Sequence, residues 1–241
     1  MRWEAGVNLS ELLSNDGVVQ NLEPPPYSIL KYPLRETDSD PMGISDYLVA
    51  FATKSRAYCV GCVDMVNSTR ISASLSRDNL MKYYETFLNS MAVIVGKFDG
   101  KVIKNVGDCL LFYFPLSENG NNLEHVRRSI DCGLVMTKAQ KIISRELILK
   151  KLPSLNYRIS MDYGSVIIMN TNKSVEIDMI GPPVNMCTKI NHLAQNNEFV
   201  IGGDLREIVK KIEKYSFKQI RGYNVGFKSA YPAYKVQLKN R

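Results

Sequence analysis

Two carboxylates stand where apolar runs begin or end, and their surroundings suggest chemistry on phosphate groups. Asp64 closes the apolar run of "CVGCVDMVNST" (residues 59–69), and Asp108 follows Gly107 between two further apolar runs. A carboxylate at the end of a buried strand is costly unless it meets a cationic partner or a metal ion. If the strand end and the hairpin tip are neighbours, Mg²⁺ or Mn²⁺ bound by oxygen ligands would relieve the repulsion between the two carboxylates.

The residues after Asp64 add a place for phosphate. Asn67, Ser68 and Thr69 form a short polar loop whose backbone N–H groups suit a phosphate cradle. Two carboxylates beside such a loop favour two-metal phosphoryl chemistry. Gly107-Asp108 also fits an ordinary hairpin turn, so the spacing alone leaves the catalytic and the structural interpretations open.

Composition limits the classes of protein to consider. The chain has 241 residues, 45% of them apolar, which is enough for one large core or a core with an appendage. The net charge of +7 is scattered rather than concentrated in a block, so we expect a solvated surface and no nucleic-acid partner. No apolar stretch is long enough to span a bilayer, and "MRWEAGVNLSELL" lacks a secretory h-region. We therefore expect a soluble cytoplasmic protein.

The cysteines and histidines of the chain do not predict a separate metal or redox site. Cys59-Val-Gly-Cys62 has CxxC spacing, but it lies in a predicted strand and no second CxxC follows. We interpret the five cysteines as reduced core thiols, and their odd number suits a reducing compartment. His125 and His192 fall on polar helix faces, and we predict that both are surface residues rather than ligands.

The sequence predicts a Pro-rich arm or linker over residues 1–44 and one main domain over 45–241. The predicted elements of the domain follow in chain order. They are a short helix capped by Ser45, a strand over 57–65, a helix begun by Ser76, a hairpin turning at Gly107-Asp108, a long helix over 122–150, a strand pair broken at Gly164, the short strand "VEIDMIG", a helix begun by Pro182-Pro183, the strand "EFVIGG", a helix over 203–213 and a closing hairpin. This order predicts an α+β fold of the ferredoxin-like or palm type, with a mostly antiparallel sheet and helices packed on one face.

Four blocks in this order resemble the catalytic domain of the class III nucleotide cyclases, the adenylyl and guanylyl cyclases. The blocks are "VDMVNST", "GKVIKNVGDCLLFYF", "RISMDYGSVIIM" with "DMIGPPVNMCTKI", and "YSFKQIRGYNVGFKSAYPAYKV". The resemblance covers about residues 57–238 and does not reach the arm. It implies the class III cyclase fold.

The resemblance also implies roles for residues on the metal and phosphate side. Asp64 and Asp108 would hold two Mg²⁺ or Mn²⁺ ions, with the Met65 carbonyl as a further ligand. The amides of Asn67, Ser68 and Thr69 would contact the β- and γ-phosphates, and Lys228 would bind the triphosphate. Ser68 stands where the family usually has Phe.

On the base and ribose side, the resemblance assigns four positions. Lys104 and Asp178 would read adenine, because a donor and an acceptor match its ring nitrogen and its amino group, and guanine offers the reverse pattern. Asn185 would orient the ribose. Lys189 takes the place of the family's transition-state Arg and keeps the positive charge without the guanidinium fork.

The function implied is an adenylate cyclase that converts ATP to 3′,5′-cyclic AMP and pyrophosphate at sites shared by a head-to-tail homodimer. Two alternatives stay open at this point. One is a cyclase-like domain that binds nucleotide with little or no turnover and acts as a sensor or interaction module. The other is a different palm-type nucleotidyl enzyme such as a diguanylate cyclase. The segment "IGGDL" (201–205) of this chain resembles the signature of that family only superficially.

Overall fold

The computed structural model describes residues 49–52, 55–115, 122–171, 177–224 and 230–239. The strands in these ranges are β1 (Val49–Phe51), β2 (Arg56–Met65), β3 (Lys101–Val106), β4 (Cys109–Phe114), β5 (Tyr157–Thr171), β6 (Asp178–Ile180), β7 (Phe199–Gly202), β8 (Tyr215–Tyr223) and β9 (Tyr231–Leu238). The helices are α1 (Ser68–Ser74), α2 (Arg77–Lys97), α3 (Asn122–Leu149), α4 (Pro182–Asn191) and α5 (Gly203–Val209). The predicted arm over 1–44 lies outside the described residues and stays a prediction, as does the domain boundary.

The strands form one mixed sheet in the order β3-β4-β2-β5-β7-β9-β8, and β1 and β6 pair with the second half of β5. Every pairing is antiparallel except that of β5 with β7. The predicted α+β fold with a mostly antiparallel sheet is therefore confirmed. β2 lies between β4 and β5, which places the end that carries Asp64 in the middle of the sheet.

Helices cover both faces of this sheet, so the prediction of helices on one face was wrong. Cys59 and Val63 of β2 face the larger core, together with apolar side chains of α2, α3 and α5. Val60 and Cys62 face the opposite way and share a smaller cluster with Cys187 of α4. Because successive side chains of a strand alternate between faces, a strand with apolar residues on both faces, as β2 has over residues 57–63, can support helices on both sides.

Local signals place α2 and the following hairpin as predicted. The Ser76 side chain accepts a hydrogen bond from the backbone N–H of Asn79, which caps α2. Gly107 has a φ of 61°, the left-handed conformation that a tight hairpin turn needs. The turn between β3 and β4 thus presents Asp108 beside the end of β2.

The predicted break at Gly164 was wrong, because β5 runs without interruption from Tyr157 to Thr171. Gly164 is paired with Tyr58 inside this strand, and a Cβ added to it would lie 3.4 Å from the Cδ of Pro183. The glycine therefore marks the close approach of α4 to the sheet rather than a turn.

Two further predictions differ from the structure at short elements. Residues 45–48 of the helix capped by Ser45 lie outside the described residues, but Val49–Phe51 form a strand paired with Met169–Thr171 rather than a helix. The predicted helix over 203–213 ends earlier, at Val209. In the described part of the chain, no helix is both long and apolar enough to cross a membrane.

Candidate active site

The tips of β2 and of the β3–β4 hairpin bring Asp64 and Asp108 together. Asp64 is paired with Cys109, the residue after Asp108, and the N–H of Met65 donates to the Asp108 carbonyl over 3.4 Å. The predicted neighbourhood of the two carboxylates is therefore present in the structure. Met65 itself is buried, and its backbone lies between the two acidic positions.

The two carboxylates oppose one another electrostatically. Partial burial and then the negative charge of Asp108 raise the pKa of Asp64, while His192 and Arg158 lower it by a smaller amount. A divalent cation would reverse this balance, because it favours the ionised form of both side chains. Hard oxygen donors are the ligands that Mg²⁺ and Mn²⁺ prefer, so the residues present fit such ions.

These donors do not form a complete metal cage. In the part of the chain that the structure describes, no group of three or more His, Cys, Asp and Glu side chains is placed to hold a metal ion. Two carboxylates and one carbonyl leave coordination positions open, as expected where phosphate oxygens and water complete the shell.

The residues predicted as a phosphate loop lie at the start of a helix. Asn67 adopts the left-handed conformation with a φ of 60°, and its carbonyl accepts from the N–H of Ile71 over 3.0 Å. Ser68 and Thr69 form the first turn of α1, which the sequence analysis did not predict. The first N–H groups of a helix have no acceptor within it, so this turn presents free donors next to Asp64.

Lys104 and Asp178 meet directly, although 74 positions separate them. Lys104 Nζ forms an ion pair with Asp178 Oδ2, and Asp178 Oδ1 accepts from the N–H of Met179 over 2.8 Å. Their side chains are 39% and 29% exposed. β3 and β6 thus bring together the two residues predicted to read a base.

Asn185 and Lys189 lie one turn apart on the exposed side of α4, whose opposite side packs on the sheet. The helix begins after Gly181, whose φ of 154° and close approach to the Ser165 carbonyl, 2.6 Å from an added Cβ, exclude a larger residue. Lys228 lies outside the described residues, and its role stays a prediction.

Sequence reasoning missed two basic side chains near Asp64. Arg158 of β5 is the register partner of Asp64, and its Nε is buried without a hydrogen-bond partner in the described residues. His192 is exposed, as predicted, and directly follows the last residue of α4. It lies near enough to Asp64 to lower the pKa of that carboxyl group. Arg158 could have been noticed as a basic residue near the start of a strand rich in apolar residues, whereas only the packing of α4 places His192.

Asn191 fixes α4 over this end of the sheet. Its buried Nδ2 donates to the carbonyl of Arg158 over 3.2 Å and to Ser160 Oγ over 3.1 Å. The last turn of α4 is therefore held against the strand that carries Arg158.

A comparison with known families agrees with this arrangement. Residues 52–237 match the model of the adenylate and guanylate cyclase catalytic domain. The chain belongs to this family. The matched range covers most of the sequence and contains the positions of all the site residues that the resemblance implies.

Two curated relatives of the cyclase domain are cytidylate cyclases. The one from Staphylococcus aureus is 24% identical over 180 residues, which cover 69% of this chain and 41% of the relative. The one from Escherichia coli is 23% identical over 172 residues, which cover 66% and 37%. The chain thus spans about two fifths of the length of these relatives.

Solved structures show the same fold. The adenylyl cyclase CyaB from P. aeruginosa matches with a TM-score of 0.70 and 20% identity, over 78% of this chain and 98% of that one. The guanylate cyclase domain of RhGC from Catenaria anguillulae, in complex with GTP, matches with a TM-score of 0.67 and 18% identity, over 78% and 100%. At this level of identity the likeness extends to the fold and leaves the base specificity open.

Proposed function

We propose that this domain is an adenylate cyclase that converts ATP to 3′,5′-cyclic AMP and pyrophosphate. The observation that carries the proposal is the meeting of Asp64 and Asp108, two carboxylates that repel each other in a family that acts on nucleotides. Such a pair is costly to maintain unless a cation and its polyphosphate ligand use it.

Asp64, Asp108 and the Met65 carbonyl would hold two divalent ions, Mg²⁺ or Mn²⁺. When bound, these ions lower the pKa of the ribose 3′-hydroxyl and neutralise charge on the triphosphate. The chain's own part is to keep both carboxylates at one point of the sheet, next to the phosphate-facing turn of Asn67, Ser68 and Thr69.

The remaining residues position the nucleotide for an in-line displacement. The 3′-oxygen forms a bond to the α-phosphorus as the bond from that phosphorus to the pyrophosphate oxygen breaks, and the 3′-hydroxyl proton is lost. Asn185 orients the ribose, Lys189 places positive charge near the phosphoryl oxygens, and Lys228 contacts the leaving pyrophosphate. Positioning and electrostatic stabilisation supply most of the catalysis in reactions of this kind.

The base specificity rests on Lys104 and Asp178. A Lys donor faces a ring nitrogen and an Asp acceptor faces an amino group, which matches adenine and rejects guanine. Cytosine also presents a ring-nitrogen acceptor beside an amino donor, so the pair discriminates amino bases from oxo bases rather than purines from pyrimidines. CTP is therefore the second candidate substrate, and the two cytidylate cyclase relatives favour it.

Product analysis tests the function directly. The full chain is incubated separately with ATP, CTP, GTP and UTP, with Mg²⁺ or Mn²⁺, and the products are separated by chromatography and weighed by mass spectrometry. We expect cyclic AMP as the main product. Cyclic CMP alone would transfer the assignment to the second candidate, and no cyclic nucleotide from any substrate would indicate the non-catalytic sensor.

We also propose that the site is shared by a head-to-tail homodimer, with the metal carboxylates from one subunit and Asn185 and Lys189 from the other. Mixing Asp64→Ala with Asn185→Ala chains tests this. Random pairing makes about half of the dimers mixed, each with one intact site, so activity should return to roughly a quarter of the wild-type level. If tagged chains demonstrably exchange and activity stays at the single-mutant level, the site is not shared.

A further inference from the structure

Two thiols lie next to the proposed metal-binding positions and belong to no step of the proposed reaction. Cys62 lies two residues before Asp64 on β2, and Cys109 directly follows Asp108 at the start of β4. Their sulfur atoms are 3.1 Å apart and share a hydrogen bond. Cys62 is buried and Cys109 is half-buried.

The strand register explains this contact. Cys62 is paired with Leu111 and Asp64 with Cys109, so the two cysteines are diagonal neighbours on one face of the sheet. The smaller core cluster, which contains Tyr58 and Leu111, surrounds them. The contact therefore depends on the same β2–β4 pairing that brings Asp64 to Asp108.

Two of the other thiols, those of Cys59 and Cys187, form hydrogen bonds with other partners. Cys59 points to the opposite face, as its odd spacing from Cys62 requires, and its sulfur donates to Ser129 Oγ over 3.2 Å. Cys187 Sγ donates to the Val184 carbonyl over 3.2 Å. The CxxC spacing thus does not describe a pair, and the partner of Cys62 comes from the neighbouring strand.

We propose that Cys62 and Cys109 form a reversible disulfide on exposure to a hydroperoxide, and that this bond lowers the activity of the adjoining site. The second part rests on the proposed cyclase function. Cys109 is half-buried whereas Cys62 is buried, so Cys109 is the thiol that a hydroperoxide reaches first.

The oxidation balances with one hydroperoxide. The Cys109 sulfur takes one peroxide oxygen and becomes a sulfenic acid as the O–O bond breaks, and one water is released when the oxidant is hydrogen peroxide. The Cys62 sulfur then attacks the Cys109 sulfur, the S–S bond forms, and the hydroxyl leaves as a second water with the Cys62 proton. Two thiols are oxidised and one peroxide is reduced.

The bond would displace a proposed metal ligand. An S–S bond is about 2.05 Å long, so the two sulfurs must approach by roughly 1 Å from their present contact. Diagonal neighbours are farther apart than directly opposed residues, so the approach draws the start of β4 towards β2. Asp108 directly precedes Cys109 in the chain, so a shift at the start of β4 would displace it as well.

Peptide mapping tests the bond independently of activity. The full chain is reduced, exposed to hydrogen peroxide, blocked with N-ethylmaleimide and digested with trypsin without reductant. We expect residues 57–70, with one N-ethylmaleimide on Cys59, joined to residues 105–127, lighter by two hydrogen atoms than the sum of that adduct and the second peptide, and fragment spectra that assign the link to Cys62. A link through Cys59, a link to Cys187, or the absence of any link while Cys109 is oxidised would overturn the proposal.

Variants connect the bond to the site. Peroxide should lower wild-type activity by about tenfold or more, since misplacement by roughly 1 Å can cost about 100-fold, and dithiothreitol should restore it. Cys62→Ser should keep its basal activity and lose the cross-link together with the reversible inhibition. Cys59→Ser, on the same strand and the same tryptic peptide, is the matched control and should behave as wild type.

The outcomes separate the two proposals. If the reduced protein makes no cyclic nucleotide, the proposed function fails, while mapping still decides the bond and Mn²⁺ affinity decides its effect on the site. Weaker Mn²⁺ binding in the cross-linked form supports the displacement of Asp108. A complete cross-link that changes neither activity nor Mn²⁺ affinity overturns the regulatory part.

Discussion

The β3–β4 hairpin carries two charged positions that differ in what the fold provides for them. Lys104 meets an opposite charge, Asp178, within the same chain. Four residues later, Asp108 meets a like charge, Asp64, whose pKa is raised by burial and by this neighbour. Lys104 thus has an opposite charge as its direct partner, whereas the pKa of Asp64 stays raised although Arg158 and His192 lower it in part.

The difference between the two pairs indicates where the binding of an ion or ligand would stabilise the protein. The Lys104–Asp178 pair is partly exposed and adds little to stability, but it holds a donor and an acceptor side by side, as the proposed base recognition requires. The raised pKa of Asp64 means that its ionised form is disfavoured beside Asp108, and a bound divalent ion, as proposed, would favour that form. Functional sites often contain charge arrangements that the fold alone would not favour.

The largest expected effect comes from neutralising the Asp64–Asp108 pair. Asp64→Asn or Asp108→Asn should lower cyclase activity by at least about 1000-fold, since both remove a ligand for the charge that stabilises the transition state. The thermal midpoint of the metal-free protein should stay equal or rise, because repulsion is removed. Asp78→Asn, at an exposed carboxylate of α2, is the control and should retain activity.

A loss of metal-free stability in Asp64→Asn would break the comparison, because the pair would then be a favourable structural element. Full activity in either variant would remove that residue from the metal site.

The Lys104–Asp178 pair should control selectivity rather than turnover. Lys104→Glu combined with Asp178→Cys should reduce the ATP-to-GTP ratio of kcat/KM by at least about tenfold, because the hydrogen-bonding sense of both positions changes. The ATP-to-CTP ratio should move less, since adenine and cytosine present the same donor and acceptor to this pair. Competition assays with paired nucleotides measure both ratios, and an unchanged ATP-to-GTP ratio in an active variant would exclude the pair from base recognition.

A substitution at Lys189 should raise activity, by less than the losses expected at the other positions. Lys189→Arg should raise kcat, by up to about tenfold, because a guanidinium can contact two phosphoryl oxygens at once. Lys189→Met should lower it, and the two variants together distinguish the loss of charge from the loss of geometry. Equal kcat values in all three proteins would show that this position does not contact the reacting phosphate.

Asp162 tests how burial, as distinct from repulsion between like charges, affects a carboxylate. Of the substitutions predicted to have an effect, the one at Asp162 should change activity least. It is 2% exposed, and its Oδ1 and Oδ2 accept from Tyr163 N over 2.9 Å and from Tyr231 Oη over 2.8 Å. Burial is the main cause that raises the pKa of Asp162 from 3.8 to about 6. Gly202 makes room for it, since an added Cβ would lie 2.3 Å from Asp162 Oδ1.

The raised pKa of Asp162 determines how this residue changes the free energy of unfolding with pH. The folded state holds the Asp162 proton more tightly than the unfolded state, so its contribution to the free energy of unfolding is greatest below about pH 4 and falls as pH rises towards 6. The fall amounts to roughly 3 kcal/mol at most. Asp162→Asn should flatten this part of the stability–pH curve in urea titrations, and an unchanged slope would show that Asp162 does not titrate there.

Much of the fold could be predicted because its signals are local. Ser76 caps α2 through a neighbour three residues away, and Gly107 supplies the turn conformation at its own position. Gly164 shows the limit, since a residue type that predicts a turn lies here inside a continuous strand, next to Pro183 of a distant helix. The face on which α4 packs also depends on residues far away in the chain.

What the sequence by itself determined is the chemistry available: two acidic positions at the ends of apolar runs, and a Lys and an Asp of complementary hydrogen-bonding sense. Only the tertiary structure decided the partners, because strand register and helix packing join residues that no local pattern relates. It placed Arg158 opposite Asp64 and joined Lys104 to Asp178. It also turned Cys62 away from Cys59 and towards Cys109, since alternate residues of a strand face opposite sides of the sheet.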